Sequence, residues 1–308
     1  MTMFKKRKEW ICDVVGKSKL LSEYLDFLRN HRGLSEETIR FRRNDVACFL
    51  KSLRLRNESE DIGKISVKEI HDYVIKTAKR MNRSSQKHLV ASIRSFLKFC
   101  HFKGYVHQDL TEAVPVIVTP KLGSVPRSIP WESVEKLFAV PDRETHGGRR
   151  TYAVLQLLTT YGVRIGQVVK LQLCDINWRE GSIHFQACKR GNPLCLPLYP
   201  EVAESLITYI RETRGKATYP EVFLTIDNLM PLRAVALSVL MQRFFRSAGI
   251  AASAHAIRHA FATRLMEHET PMKTIADLLG HKSIRTTFVY TKTDLRHLRL
   301  VANEWPEV

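Results

Sequence analysis

The sequence has little of what marks secreted, membrane-spanning or zinc-binding proteins. Its six cysteines include no CxxC pair, and its cysteines and histidines lack the spacing of zinc ligands. No segment has the length and apolar character of a signal peptide or of a membrane span. We therefore expect a cytoplasmic protein with reduced thiols, no zinc site and no membrane partner. No other metal and no cofactor is expected either.

Acidic residues are also scarce relative to basic ones. The 308 residues include 49 Lys and Arg against 31 Asp and Glu, which gives a net charge of +18 and a pI of about 9.8. The excess is shared, with 25 basic against 14 acidic residues up to Lys121 and 24 against 17 after it. Such a surface attracts polyanions, of which a nucleic-acid backbone is the commonest in the cytosol. Simple solubility is the alternative explanation of the charge.

The placement of apolar residues, glycines and prolines predicts two domains. Apolar residues recur at spacings of three and four through residues 20–109, which is typical of helices, and the fourth helix there is predicted to start at Ser84 or Ser85. Residues 110–130 contain four prolines and no helical period, which is typical of a linker. The predicted divisions are a basic arm at 1–19, a four-helix domain at 20–109, the linker at 110–130 and a second domain at 131–308.

One segment of the second domain has the period of β-strands. Apolar and polar residues alternate over 183–187 and again over 194–198, which predicts a pair of strands. The turn between them carries Lys189 and Arg190. An exposed turn lysine is usually only solubilising, so the pattern alone assigns neither residue a role.

A helix in the second domain carries a candidate anion site. Apolar residues at spacings of three and four, with no Pro or Gly, predict a helix over Ala254–Glu267. His255 and Arg258 lie three residues apart and therefore share one face of that helix. An imidazole and a guanidinium on the same helix face can both donate hydrogen bonds to one anion.

Two further candidates follow at the ends of short helices. Thr270 is predicted to cap a helix that Gly280 ends, and His281 follows that glycine directly. Ser283 is predicted to cap another short helix, which ends near Tyr290.

Together these features resemble the signature of the tyrosine recombinase (integrase) family. The signature consists of the HxxR of His255 and Arg258, the LLGH turn that ends at His281, and Tyr290 nine residues later. Arg164 follows the helix end at Gly162 by two residues, and the phrase Thr160-Tyr161-Gly162-Val163-Arg164-Ile165 is similar to the first arginine motif of the family. The four-helix domain resembles the core-binding domain of the family in the segments Arg32-Gly33-Leu34-Ser35 and Thr38-Ile39.

The hairpin lysine and one departure complete the resemblance. Lys189 stands eight residues before Pro197 and matches the hairpin lysine of the family. The commonest family pattern has an acidic residue three positions after Arg164, whereas this chain has Gln167. A neutral amide therefore stands where a carboxylate would support the arginine with charge.

The resemblance implies both a fold and a reaction. The implied fold is mainly α with a small antiparallel β-sheet, made of an N-terminal four-helix core-binding (SAM-like) domain and a C-terminal mixed α/β catalytic domain. The implied reaction is site-specific recombination of double-stranded DNA through a 3′-phosphotyrosine intermediate, without metal or ATP, as in integration, excision, transposition or dimer resolution. The implied catalytic residues are Arg164, Lys189, His255, Arg258, His281 and the nucleophile Tyr290.

Further expectations concern DNA contacts and partners. A helix over residues 294–301 is expected to dock on a second subunit in dimers and tetramers on DNA, and a second recombinase is a possible partner. Two other functions stay open, a type IB topoisomerase and a catalytically silent DNA-binding or architectural protein of the same fold. The candidate DNA contacts, each of which has a solvated charged surface as its alternative, are Thr38, Arg40, Arg42, Arg43, Arg190 and Arg243.

Overall fold

The structure, a computed structural model, describes residues 18–53, 55, 61–118, 129–188 and 191–287, with only the main chain of Arg285. The chain divides into two compact units, Met1–Lys121 and Leu122–Val308. Most of the predicted basic arm and residues 119–128 of the predicted linker lie outside the described residues. The predicted domain limits therefore remain predictions.

Four α-helices form the described part of the first unit, as the apolar period predicts. Side-chain caps decide where they begin: Ser18 Oγ accepts the amide of Leu21 at 3.1 Å, and Ser66 and Glu69 form a reciprocal capping box. The helices are α1 Lys19–Asn30, α2 Glu36–Leu53, α3 Val67–Ala78 and α4 Arg83–Phe102, with 3-10 turns at Ile62–Lys64 and Leu110–Ala113.

The fourth helix begins earlier than the sequence analysis predicts. Asn82 is its N-cap, and the Asn82 side-chain oxygen accepts the amide of Ser85 at 2.9 Å. Ser84 and Ser85 lie inside the first turn instead. Asparagine caps as well as serine does, so three possible cap residues within four positions, Asn82, Ser84 and Ser85, made the start ambiguous.

The core of the first unit extends past the fourth helix. Tyr24 of α1 packs edge-on against Phe96 of α4, with ring centroids 5.3 Å apart and planes at 80°. Leu110 and Val114, from the start of the predicted linker, are buried in the same core. The chain therefore still packs on the first unit after residue 109.

The second unit joins helices and a small sheet in one buried core. Leu155 and Leu158 of the helix His146–Tyr161, Ile183 of the sheet and Phe245 of the helix Ala234–Ser247 are all buried there. The elements are α5 Trp131–Lys136, α6 His146–Tyr161, α7 Ile165–Val168, β1 Ile176–Asn177, β2 Ser182–Phe185, β3 Leu194–Pro197, α8 Pro200–Tyr209 continued by a π-helix Ile210–Arg214, α9 Ala234–Ser247, α10 Ala254–Glu267 and α11 Met272–Leu278, with 3-10 turns at Leu137–Ala139, Leu173–Asp175 and Ile284–Thr286.

The sheet is antiparallel in the order β1-β2-β3. In the predicted hairpin Ser182 pairs with Pro197 and Phe185 with Leu194. Strand β1 is an addition to the prediction, because its two residues are too few to show a period of two. The fold class, mainly α with a small antiparallel sheet, is confirmed. Among the helices that the structure describes, none has the length and apolarity to cross a membrane.

Candidate active site

Two arginines meet at one main-chain carbonyl. Arg258 on α10 donates from Nη2 to the carbonyl oxygen of Leu279 at 2.7 Å, and Arg164 donates from Nη1 to the same oxygen at 3.5 Å. The Nη1 of Arg258 donates to the carbonyl of Gly162 at 2.7 Å. Only 2% of Arg258 is exposed, and a buried guanidinium of this kind is stable only when hydrogen-bonded. The shared oxygen therefore holds two positive charges side by side, as an anion site requires.

The turn after α11 explains why this carbonyl is available. Gly280 has φ +61°, its amide bonds to the carbonyl of Asp277 at 2.9 Å, and the amide of His281 bonds to that of Ala276 at 2.9 Å. This is the Schellman ending of a helix, in which a left-handed glycine turns the chain. The Leu279 side chain is fully buried against α10, and this burial fixes the position of its carbonyl.

A second left-handed glycine positions Arg164. Gly162, with φ +58°, ends α6, and Arg164 follows two residues later at the start of α7. A Cβ atom on Gly162 would lie 2.4 Å from Cδ1 of Phe261, which is on the same helix as Arg258. A side chain at position 162 would therefore have to displace the Phe261 ring and would also strain the left-handed turn that precedes Arg164.

Gln167 supports the main chain at Arg164 rather than its guanidinium. Its Oε1 accepts the amide of Arg164 at 3.1 Å, and its Nε2 donates to the carbonyl of Gln186 at 3.5 Å. Gln167 is buried, with 1% exposed. Because the side-chain amide of Gln167 accepts one hydrogen bond and donates another, it links the main chain at Arg164 to the segment that follows β2.

His281 is held as a neutral imidazole. Its Nε2 lies 2.9 Å from Nη2 of Arg258, and because a guanidinium only donates, Nε2 is the acceptor. The ring proton is then on Nδ1, which donates to Oγ1 of Thr287 at 2.8 Å. Burial, together with the charges of Arg258 and Arg164, lowers the pKa of His281 to about 4.

His255 and Arg164 line one cavity. This cavity, of about 210 Å³, lies at the start of α10, where His255 is exposed. The ring of His255 lies 5.0 Å from that of His259, with the planes at 81°. Burial, and then the charges of His255 and Arg258, lowers the pKa of His259 to about 4, so His259 carries no charge at neutral pH. The other residues around the cavity are Val163, Ile165, Ser238, Ser253 and Ala254.

The end of the hairpin turn packs on the same carbonyl segment. The amide of Asn192 donates to the carbonyl of Gly280 at 3.2 Å, and a Cβ on Gly191 would lie 3.0 Å from that oxygen and 3.5 Å from Nη1 of Arg164. This contact brings the described end of the turn to the arginines. Lys189, Arg190, Tyr290 and the predicted helix at 294–301 lie outside the described residues.

Four of the candidate DNA contacts are on α2, and they do not form one exposed row. Arg40 is exposed and pairs with a glutamate one turn earlier at 3.1 Å. Arg42 donates from Nη1 to Oγ of Ser95 on α4 at 2.6 Å, within the unit. Thr38 and Arg43 are half-buried. Arg243, the candidate on α9, is exposed.

The structure adds contributors that the sequence analysis missed. Leu279 acts through its carbonyl and Thr287 through its hydroxyl, and neither stands out as a residue type. The one feature of the sequence that points to Leu279 and Thr287 is their position, because both lie between Arg258 and Tyr290. Within the described stretches there is no group of three or more His, Cys, Asp or Glu side chains placed to hold a metal ion.

The basic charge and the paired arginines define a class of protein, one that binds a polyanion such as DNA. The profile of the phage integrase family matches residues 127–297, and that of the N-terminal SAM-like domain of phage integrases matches residues 21–103. The chain belongs to the phage integrase family, and it is a tyrosine recombinase that cuts and rejoins DNA at specific sites.

Individual relatives agree with this assignment. The chain is 32% identical over 290 residues to the putative integrase/recombinase y4rA of Sinorhizobium fredii, covering 92% of the chain and 70% of that protein. It is 28% identical over 299 residues to the tyrosine recombinase XerD of Staphylococcus haemolyticus, covering 93% and 98%. Neither similarity favours a topoisomerase or a silent binding protein.

A solved structure supports the fold independently. A lambda integrase tetramer bound to a Holliday junction matches with a TM-score of 0.69 over 94% of this chain and 79% of that chain. Its sequence is 18% identical, so this similarity concerns the fold alone.

Proposed function

We propose that Arg164 and Arg258 clamp the phosphate at which this recombinase cuts DNA. The observation that carries the proposal is their common bond to the Leu279 carbonyl, with His281 bonded to Arg258 beside it. Forked guanidinium donors fit two phosphate oxygens and remain charged at every physiological pH. Donors fixed in advance are most effective where negative charge builds up in the transition state. His281 contributes one hydrogen bond to a phosphate oxygen.

Tyr290 is the proposed nucleophile. A phenol has a pKa of about 10 and attacks poorly until its proton is removed. His255 takes that proton, and the phenolate oxygen forms a bond to phosphorus. The bond between phosphorus and the 5′ oxygen breaks, and Lys189 supplies a proton to the departing 5′ oxygen. The resulting 3′-phosphotyrosine keeps the energy of the phosphodiester, so a 5′ hydroxyl of another strand reverses the step without ATP.

The proposed substrate is double-stranded DNA, bound by dimers and tetramers of the chain. The net charge of +18 supports a polyanionic partner, and the lambda integrase of similar fold is a tetramer on a Holliday junction. Of the candidate contacts, Arg40 and Arg243 are exposed and are assigned to DNA phosphates. The segment 294–301 is assigned to contacts between subunits, which include a second recombinase where one is present.

The test is a search for covalent protein–DNA adducts. DNA that flanks the gene of this protein is cut into labelled fragments, each with a nick, and incubated with wild type, Tyr290→Phe or the control Tyr219→Phe. Tyr219 is partly exposed and lies outside the proposed site. We expect an adduct that resists denaturant with wild type and with the control, and none with Tyr290→Phe.

Binding is measured on the same samples to separate chemistry from recognition. Tyr290→Phe is expected to bind DNA with wild-type affinity and with the same dependence on salt. An adduct that survives Tyr290→Phe contradicts the assignment of the nucleophile. Arg164→Ala and Arg258→Ala that each form the adduct at the wild-type rate contradict the phosphate clamp.

A further inference from the structure

Thr287 is a buried polar residue without a role in the steps above. None of its surface is exposed, and its Oγ1 lies 2.8 Å from Nδ1 of His281. The other nitrogen of that ring, Nε2, accepts from Arg258 at 2.9 Å. The hydroxyl of Thr287 thus contacts the one edge of His281 that faces away from the arginines.

The observed proton position and the proposed role of His281 differ. In the structure Nε2 accepts from Arg258, which leaves the proton on Nδ1. To donate a hydrogen bond to a phosphate oxygen bound at the arginines, His281 needs its proton on Nε2, the nitrogen that faces Arg258. A ring that stays neutral must therefore take up a proton from water at Nε2 and release its Nδ1 proton to water when phosphate takes up the donors of Arg258, which exchanges one tautomer for the other.

A hydroxyl suits both tautomers. It accepts from Nδ1–H in the first tautomer, and after rotation about its C–O bond it donates to the Nδ1 lone pair in the second. A carboxylate accepts only and an ammonium donates only. Because Thr287 is fully buried, bulk water does not replace it easily.

We propose that Thr287 is a positioning residue that holds the His281 ring in place while its proton moves from Nδ1 to Nε2 on phosphate binding. The inference rests on the proposed role of His281 as a phosphate donor. It adds a residue that acts through His281, and it assigns a function to the hydroxyl three residues before Tyr290 in the sequence.

The first test follows the ring nitrogens of wild-type protein by NMR, with ¹⁵N-labelled histidine and His281→Phe to assign the signal. Inorganic phosphate is the probe, so the measurement needs no known DNA site. In free protein the proton is expected on Nδ1, and at saturating phosphate on Nε2. A proton already on Nε2 in free protein, or one that stays on Nδ1 at every phosphate concentration, overturns the proposal.

The second test measures the rate of adduct formation on the nicked fragment. Thr287→Val keeps the shape and removes the hydroxyl, Thr287→Ser restores it, and Thr286→Val changes the exposed neighbouring threonine as a matched control. Loss of one oriented hydrogen bond is expected to slow Thr287→Val about tenfold with DNA affinity unchanged. Thr287→Ser and Thr286→Val are expected to stay within about threefold of wild type, a margin set by the usual uncertainty of a single contact.

A double-mutant cycle separates positioning from a general structural effect. Adding Thr287→Val to His281→Phe is expected to cause no further loss in the rate of adduct formation, because the imidazole ring that Thr287 holds is already absent. A full additional loss in that background overturns the proposal and assigns the hydroxyl to the segment of Tyr290 instead. Absence of any adduct in wild type counts against the proposed function, whereas the NMR result still decides the role of Thr287.

Discussion

Gln167→Glu offers a direct test of how Arg164 is supported. The substitution restores the acidic residue that is commonest in the family, yet the structure predicts that it is harmful at neutral pH. A carboxylate keeps the bond from the Arg164 amide and loses the bond to the Gln186 carbonyl, since it has no proton to donate. It then faces that carbonyl oxygen at a position with 1% exposure.

The expected cost follows from these contacts. An unsatisfied buried polar group costs about 1–3 kcal/mol, and the nearby arginine charge offsets part of the penalty for a carboxylate. A net loss of about 2 kcal/mol corresponds to a fall in Tm of about 4–8 °C for a unit of this size. When the introduced carboxyl is protonated it donates to Gln186 as the amide does, so the loss disappears at low pH.

The sign of the pH dependence is therefore fixed. The folded-state pKa of the introduced carboxyl is raised above its unfolded value of about 4.3, because the folded protein favours the protonated form. The Tm deficit relative to wild type is small below about pH 4.3, grows as the pH rises through the folded-state pKa and is constant above it. Calorimetry across this range measures the deficit, with Gln242→Glu, at an exposed position of α9, as the control for added charge.

The opposite trend would refute this account. If the variant is least stable in acid and equals or exceeds wild type at neutral pH, the carboxylate has reached the guanidinium of Arg164. The amide bridge to Gln186 would then contribute little, and the role assigned to Gln167 would be wrong.

Three further predictions test other parts of the structure. Arg258→Lys replaces a fork that serves two carbonyls and His281 by one ammonium, so urea unfolding should show a loss of about 3 kcal/mol or more; unchanged stability contradicts the observed contacts. Burial raises the pKa of Cys100 to about 12, so iodoacetamide at pH 8 should modify the exposed Cys174 and Cys195 and leave Cys100 unmodified by mass spectrometry. Ser66→Ala removes half of a capping box and should lower the unfolding free energy by about 1 kcal/mol, whereas no change would show that the cap is dispensable.

Local signals were sufficient to predict the helix of the site. The helix over Ala254–Glu267 has the predicted bounds, because the apolar period is unbroken there and no cap competes with it. The helix after it begins differently from the prediction: Pro271 is the N-cap, and Thr270 provides no cap. With proline at the N-cap, no side chain accepts the first amides of this helix, and the fixed φ of proline sets the turn into the helix instead.

Contacts between distant parts of the chain were not predictable in the same way. The arginine motif gave Arg164 and Arg258 as partners, but not the oxygen that joins them, since every residue has a carbonyl. Arg42 shows the same limit. Its place on a charged helix suggested an exposed contact, and only the fold reveals Ser95 of another helix as its partner.

The bond of both arginines to Leu279 also has a consequence for the order of events during synthesis. A chain leaves the ribosome from its N-terminus, so Arg164 and Arg258 emerge before the residue whose carbonyl joins them. Until residue 279 is free to fold, the two guanidinium groups have no common anchor. A chain that stops before residue 279 therefore lacks the joined arginine pair on which the proposed phosphate clamp depends.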